Sequence, residues 1–316
     1  MHARRARDDD VAAWHDDGWV LIEGLIPTDV IDAATADLWH MFPTGEQYHA
    51  DPDGCREQWI GRPARRPEIY TWPPDGPGFR PEQHFWQGHF PFPGTGALNR
   101  LSVHPAIVDF AERALRTTDL RLYQIHTTAK YGGEANYEQP MHTDRNHSWL
   151  PAKNEAPWWH LETFLYLSDV DEGNAPTHLV ARHDAGHRAT TVPLVMPSRD
   201  PELYAAERAA PGVRGSLLAY RTDVFHRGVD VKAPDGARFI LALAFKPAGV
   251  DWIGYQSYQS KSTSLDWVKF VEGSTPRELE LFGFPPPGHP IWDAALLDGT
   301  AERYPDLDLT PWRDAL

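Results

Sequence analysis

With one cysteine in 316 residues, the chain cannot close a disulfide on itself, and Cys55 stands in a Gly-Cys-Arg-Glu setting with no redox or metal partner. That usage excludes a disulfide scaffold and fits a reducing, cytoplasmic setting with an inert thiol. No stretch approaches the roughly 18 to 20 apolar residues of a membrane helix. The opening Met1-His2-Ala3-Arg4-Arg5-Ala6-Arg7 is basic but runs straight into Asp8-Asp9-Asp10 without an apolar segment, so no secretory signal is expected. Basic residues are also scarce, with 30 Lys and Arg against 45 Asp and Glu and a formal net charge of -15. Such a surface repels phosphates, which argues against a nucleic-acid partner. The densest basic stretch, Arg56, Arg62, Arg65 and Arg66, is interrupted by Pro63 and Pro67. It reads either as a solvated loop or as a contact for an anionic substrate. There is no Gly-x-Ser-x-Gly elbow, no Walker loop and no internal repeat.

What is present is a pair of short segments, Met141-His142-Thr143-Asp144 and Val224-Phe225-His226-Arg227. Side chains at i and i+2 of a β-strand point to one face, so His142 and Asp144 can chelate one ion from a single strand end. Two imidazoles and one carboxylate on one face of a metal leave the opposite positions open, which suits a non-haem Fe(II) that binds a cosubstrate and O2 together. A His-x-Asp tripeptide by itself is weak in a chain with 16 histidines; a loop histidine beside a turn aspartate is the plainer reading. Arg238 adds weight. It directly precedes the apolar run Phe239-Ile240-Leu241-Ala242-Leu243-Ala244-Phe245, and a cation carried into an apolar interior needs an anion beside it. A guanidinium grips a carboxylate through two parallel hydrogen bonds, and 2-oxoglutarate presents such a group. The competing reading is an arginine at a strand mouth with its head in water.

These residues and others in the same order resemble the phytanoyl-CoA dioxygenase-like branch of the Fe(II)/2-oxoglutarate-dependent oxygenases. The similarity runs from about Trp14 to about Lys246 and includes Trp14-His15-Asp16-Asp17-Gly18-Trp19, Leu101-Ser102-Val103-His104-Pro105 and Tyr166-Leu167-Ser168-Asp169-Val170-Asp171-Glu172-Gly173-Asn174. The resemblance implies that His142, Asp144 and His226 are the iron ligands and that Arg238 holds the distal carboxylate of 2-oxoglutarate. It also implies further cosubstrate contacts from the preceding strand, with Gln124 and Thr127 ranked first and Thr128 and Lys130 nearby. The sequence departs from the family at Ala175, where Gly is usual, and at Val180-Ala181-Arg182-His183, where a Pro-Gly-Ser-His turn is usual. It departs again at Gly228, where many relatives carry Ser or Thr.

The implied activity is a dioxygenase reaction in which 2-oxoglutarate and O2 give succinate and CO2 while an unactivated C–H bond of a small molecule is oxidised. Related halogenases lack the carboxylate at the Asp144 position, so its presence implies a hydroxylase type rather than a halogenase. Two alternatives remain open. One is a cupin-like metalloenzyme that does not use 2-oxoglutarate; the other is a catalytically silent ligand-binding barrel.

The expected fold is mainly β with flanking helices (α+β), built on a double-stranded β-helix, or jelly roll, as one domain over 1–316. Residues 9–119 carry N-terminal helices and an aromatic loop region, 120–247 the β core, and 248–316 a C-terminal extension. Strands are expected near 121–127, 160–167, 216–221 and 239–245. A helix is expected over 27–41 with Thr28 as its cap and Val30, Ile31, Ala34 and Leu38 on one face, and another over 106–115. The aromatic stretch 45–96, with Trp59, Trp72, Phe85, Trp86, Phe90 and Phe92, reads as an active-site wall or as an aromatic cluster packed on the barrel. The loop 145–159, with His147, Trp149, Trp158 and Trp159, lies beside the metal residues and reads as a pocket wall. Asp169-Val170-Asp171-Glu172-Gly173 is set aside as a calcium loop because Val180 stands where a bidentate Glu is needed. His183 and His187 are set aside as a zinc pair because Asp184 and Gly186 suggest a turn.

Overall fold

The computed structural model describes residues 4–60, 86–133, 138–144, 159–188, 194–250, 258 and 264–316. Its first helix, Asp8–Asp16, opens on three aspartates that complement the helix dipole, and the Arg7 backbone N–H donates to Asp10 at 2.7 Å. The chain then turns at Gly18 into β1, Trp19–Ile22. Gly18 has φ +83, and a Cβ there would lie 2.6 Å from Val224 and 2.7 Å from Arg182, so both backbone and space require glycine. The second long helix spans Thr28–Leu38, with Ile31, Ala34 and Leu38 buried. It begins one residue later than expected and Thr28 is not its cap. Pro27 holds that position, and its carbonyl accepts from the N–H groups of Val30 and Ile31, both at 3.1 Å. The helix ends at Leu38 because the N–H groups of Met41 and Phe42 fold back onto the Leu38 carbonyl, at 2.7 and 2.8 Å.

Among the described residues, helices combine with two antiparallel sheets. The larger sheet contains β1, β2 (Trp86–His89), β3 (Leu120–Tyr131), β4 (Leu161–Tyr166), β7 (Leu217–Arg221) and β9 (Ala237–Pro247), in the order β1-β7-β4-β9-β3-β2. The smaller contains β5 (His178–Leu179), β6 (Arg208–Ala209) and β8 (His226–Arg227), in the order β6-β5-β8. The four expected core strands are present with shifted ends; β3 in particular runs on to Tyr131, with a bulge between Leu122 and Gln124.

The strand period of two divides the large sheet into unlike faces. Leu120, Leu122, Ile125 and Ala129 of β3, Leu161 and Leu165 of β4, Leu217 and Ala219 of β7, and Phe239, Leu241, Leu243 and Phe245 of β9 belong to one large apolar cluster. That cluster also takes in Trp14, Ile31 and Leu38 from the N-terminal helices, Ile107 and Phe110 from the helix Pro105–Leu115, and Trp267, Phe270, Leu279 and Trp312 from the C-terminal extension. Trp86, Phe90 and Phe92 join it, with Phe90 stacked on Phe282 at 5.4 Å, so the described part of the aromatic stretch packs as core. Trp72 and Phe85 lie outside the described residues. Cys55 is buried in the same cluster, and burial pushes its thiol up.

The opposite, inner face looks toward the small sheet. Tyr166, Leu218, Tyr220 and Ile240 pack there with Val170, Leu179, Ala210 and Val224. Among the described residues no helix is long and apolar enough to cross a membrane.

Candidate metal and dicarboxylate site

His226 opens β8, and a two-way backbone bridge ties it to His142: the His142 N–H donates to the His226 carbonyl at 3.0 Å, and the return bond is 2.8 Å. The segment carrying His142 and Asp144 is anchored at several points. Met141 is fully buried against Val180, Leu203 and Phe225, and its N–H donates to the Tyr204 hydroxyl at 2.8 Å. Gln139 and Gly228 exchange two hydrogen bonds, each 2.9 Å, and Arg227 bridges Glu138 at 2.5 Å and Glu207 at 2.7 Å. Burial alone would raise Glu207, but hydrogen bonds from Arg227 and His178 bring its pKa down to about 2. These bonds hold the segment of His142 and Asp144 and that of His226, more than 80 residues apart in sequence, in one register.

The three metal-type side chains converge. One ligand atom from each of His142, Asp144 and His226 lies within 4.8 Å of the others, and His226 Nε2 is 3.5 Å from Asp144 Oδ2. Both imidazoles are set in the same way. His142 Nδ1 lies 2.9 Å from the Pro140 carbonyl and His226 Nδ1 lies 3.0 Å from the Val224 carbonyl. In each case the carbonyl two residues back accepts a hydrogen bond from Nδ1–H, which leaves the lone pair on Nε2. That is the tautomer a metal-binding imidazole needs. Asp144 is fixed by its N–H to the Thr222 carbonyl and by the Tyr220 hydroxyl donating to Oδ2, both at 3.0 Å. Burial, then Asp144 and Glu162, push the Tyr220 phenol well above its ordinary pKa, so it stays a donor.

Arg238 lies on the inner face of β9, where its register partner on β3 is Lys130. Both are buried, 6% and 5% exposed, which makes two adjacent cations in a largely apolar interior. Lys130 Nζ donates to the Val229 carbonyl at 2.9 Å. Arg238 donates to the Ala175 carbonyl, its Nε has no hydrogen-bond partner, and among the described residues no carboxylate pairs with it. Burial lowers the Arg238 pKa to about 10; burial and the neighbouring guanidinium lower Lys130 well below the ordinary lysine range. A desolvated guanidinium without a carboxylate beside it is costly unless an anion joins it. Two of the three family departures, Ala175 and Gly228, find their place here. Ala175 has φ 58, the left-handed region that glycine would favour, and its carbonyl is the one that Arg238 holds. Gly228 leaves room: a Cβ there would lie 3.3 Å from Lys130 Nζ.

The other expected contacts divide. Gln124 pairs with Ala244 on the inner face, half-buried, with its amide nitrogen 3.4 Å from His126 Nδ1. Thr127 does not face the site. It lies three residues on, with odd parity, so it points into the outer core, fully buried, and donates its hydroxyl to the Ile240 carbonyl at 2.7 Å. Thr128 is the inner-face residue, in register with Ile240. Sequence reasoning missed Tyr220, Tyr123 and Glu162, whose positions read as strand core. Arg56 is held by Asp53 and Tyr48, both at 2.8 Å. Arg62, Arg65, Arg66, His147, Trp149 and Trp158 lie outside the described residues, while Trp159 packs on Trp14 in the outer core.

No family model and no curated protein matches the sequence. Solved structures do. The fold is similar to that of SnoK, a non-heme alpha ketoglutarate dependent carbocyclase from nogalamycin biosynthesis, at 17% identity and a TM-score of 0.54 over 83% of this chain and 92% of that one. It is also similar to the epimerase SnoN in complex with Fe3+, alpha ketoglutarate and nogalamycin RO, at 16% identity and a TM-score of 0.51 over 76% of this chain and 83% of that one. At these identities the likeness is one of fold: the chain shares the fold of SnoK and SnoN.

Proposed function

We propose that the protein is a non-haem Fe(II)/2-oxoglutarate-dependent dioxygenase of the phytanoyl-CoA dioxygenase-like branch, with the two sheets forming a double-stranded β-helix. The observation that carries this reading is the pairing of two sites in one interior. A His-Asp-His cluster with both Nε2 lone pairs exposed by their Nδ1 bonds stands with a buried Arg238, in register with Lys130, whose guanidinium has no carboxylate partner among the described residues. The donor set suits Fe(II), which takes imidazole and carboxylate ligands together. His142, Asp144 and His226 would hold the iron. Arg238, with Lys130 beside it, would receive the distal carboxylate of 2-oxoglutarate, and Gln124 faces the same interior.

Iron with 2-oxoglutarate and O2 supplies the oxidising power for an unactivated C–H bond, with succinate and CO2 released. The chain's own residues do the rest. They fix the ligand geometry, compensate the dicarboxylate's charge and line a buried interior that excludes water. Related halogenases lack the carboxylate at the Asp144 position, so its presence favours hydroxylation over halogenation. SnoN and SnoK, an epimerase and a carbocyclase, show that this architecture also accommodates other outcomes, so product analysis belongs with the test. The substrate is a small molecule.

Anaerobic addition of Fe(II) and 2-oxoglutarate tests the assignment through the weak visible charge-transfer band of the chelated cosubstrate. The wild type shows the band, His226→Ala loses it, and Arg238→Ala needs at least 100-fold more 2-oxoglutarate, as expected for a buried charge pair cut on one side (about 3 to 5 kcal/mol). Tight metal binding without a band would instead support a cupin-like metalloenzyme, and neither metal nor band a silent binding barrel.

A further inference from the structure

Among the described residues, a side chain that is not one of the three metal-type residues touches two of them. Tyr220, at the end of β7 and 2% exposed, donates its hydroxyl to Asp144 Oδ2 at 3.0 Å. Its ring centroid lies 4.6 Å from that of His226 and 5.4 Å from that of Phe164, so the ring is wedged between the site and the inner face of β4. Two residues on, the Thr222 carbonyl accepts the Asp144 N–H at 3.0 Å. Asp144 is therefore gripped at both side chain and backbone by one strand end.

That strand end is itself anchored. The Tyr123 hydroxyl donates to Glu162 Oε1 at 2.6 Å and lies 3.1 Å from His160 Nδ1, while His160 Nε2 lies 2.6 Å from the Thr222 hydroxyl. Tyr123 has one proton and gives it to the carboxylate, so its oxygen accepts from His160 Nδ1–H. His160 Nε2 then carries the lone pair and Thr222 donates to it. All four residues are buried. The directions agree along the whole line, from Glu162 on β4 to the residue that holds the Asp144 backbone.

The carboxylate torsion of an aspartate is broad and two-fold, so the hydrogen bonds to its oxygens decide which way it faces. We infer that Tyr220 is a positioning residue that sets the orientation of the Asp144 carboxylate against His226 Nε2, and so tunes metal binding without being a ligand. The inference rests on the metal-site reading above.

The test uses Co(II) alone as the probe, titrated into the full chain and followed by its visible d–d absorption, which reports ligand number and geometry. Y220F keeps the ring on His226 and removes only the hydroxyl. It should bind Co(II) at least 10-fold more weakly, the lower bound for loss of a partner that orients a metal ligand, and its band should shift in position or intensity. Thr222→Val, which cuts the link to His160 but leaves the backbone carbonyl in place, should have a smaller effect in the same direction. Where Y220F is only partly folded, the rise of its melting temperature with Co(II) concentration supplies the affinity by linkage. Wild-type affinity and an unchanged band in Y220F, with normal binding by the wild type, would overturn the role of Tyr220 and leave the metal site standing. No Co(II) binding by the wild type would overturn both.

Discussion

Alternate residues of β9 meet different surroundings. Phe239, Leu241, Leu243 and Phe245 enter the large apolar cluster beneath the helices; Arg238, Ile240, Ala242, Ala244 and Lys246 face the interior between the sheets. The first set supplies burial, at roughly 25 cal/mol per Å2 of apolar surface removed from water. The second supplies small side chains that leave space and, at Arg238, a buried cation with no carboxylate partner among the described residues. One strand thus carries the fold on one face and the site on the other. Substitutions on the two faces should accordingly separate stability from ligand binding.

The largest separation is expected at Arg238. Arg238→Met removes a buried cation and leaves its apolar stem. Calorimetry should show 2-oxoglutarate affinity reduced 100-fold or more, since cutting one side of a buried charge pair costs about 3 to 5 kcal/mol. The ligand-free unfolding free energy should fall by no more than about 1 kcal/mol, the worth of the bond to the Ala175 carbonyl. A loss of stability as large as the loss of binding would mean that the guanidinium is structural. Leu243→Ala, five residues on and on the other face, should do the reverse. Emptying that fully buried site should cost about 2 to 5 kcal/mol in chemical denaturation. The folded fraction should still bind Co(II) and 2-oxoglutarate as the wild type does.

How much of this was legible in the chain follows from the range over which each feature is decided. His142 and Asp144 are two residues apart on extended backbone, and Arg238 opens an apolar run, so spacing alone marks all three. The convergence of His226 with them requires the Gln139–Gly228 and Arg227–Glu138 connections, which no local pattern announces. The pairing of Lys130 with Arg238 depends on the β3–β9 register, and the bulge after Leu122 shifts the parity of every residue beyond it. Tyr220 stands in Leu217-Leu218-Ala219-Tyr220-Arg221, a run that reads as core on both faces, and its hydroxyl acquires meaning only when Asp144 arrives from 76 residues away. The start of the helix at Thr28, one residue later than expected with Pro27 as its cap, is likewise a capping detail, decided by which carbonyl is free to accept.

The finest break of the comparison lies between neighbours. Thr127 and Thr128 are chemically identical and adjacent, yet the strand turns the first into the outer core and the second toward the interior. Thr127→Val is nearly isosteric and deletes the hydroxyl that donates to the Ile240 carbonyl at 2.7 Å. That bond is neutral, so its loss should cost about 1 kcal/mol of stability. No group of Thr127 faces the interior, so 2-oxoglutarate affinity should stay within about twofold of wild type, a difference of only about 0.4 kcal/mol. Thr128→Val, on the face shared with Arg238, Lys130 and Gln124, should perturb 2-oxoglutarate binding more than stability. Denaturation and calorimetry on the two single variants decide the matter. If Thr127→Val weakened the cosubstrate and Thr128→Val did not, the register of β3 against β9 would be wrong by one residue, and the pairing of Lys130 with Arg238 would fall with it.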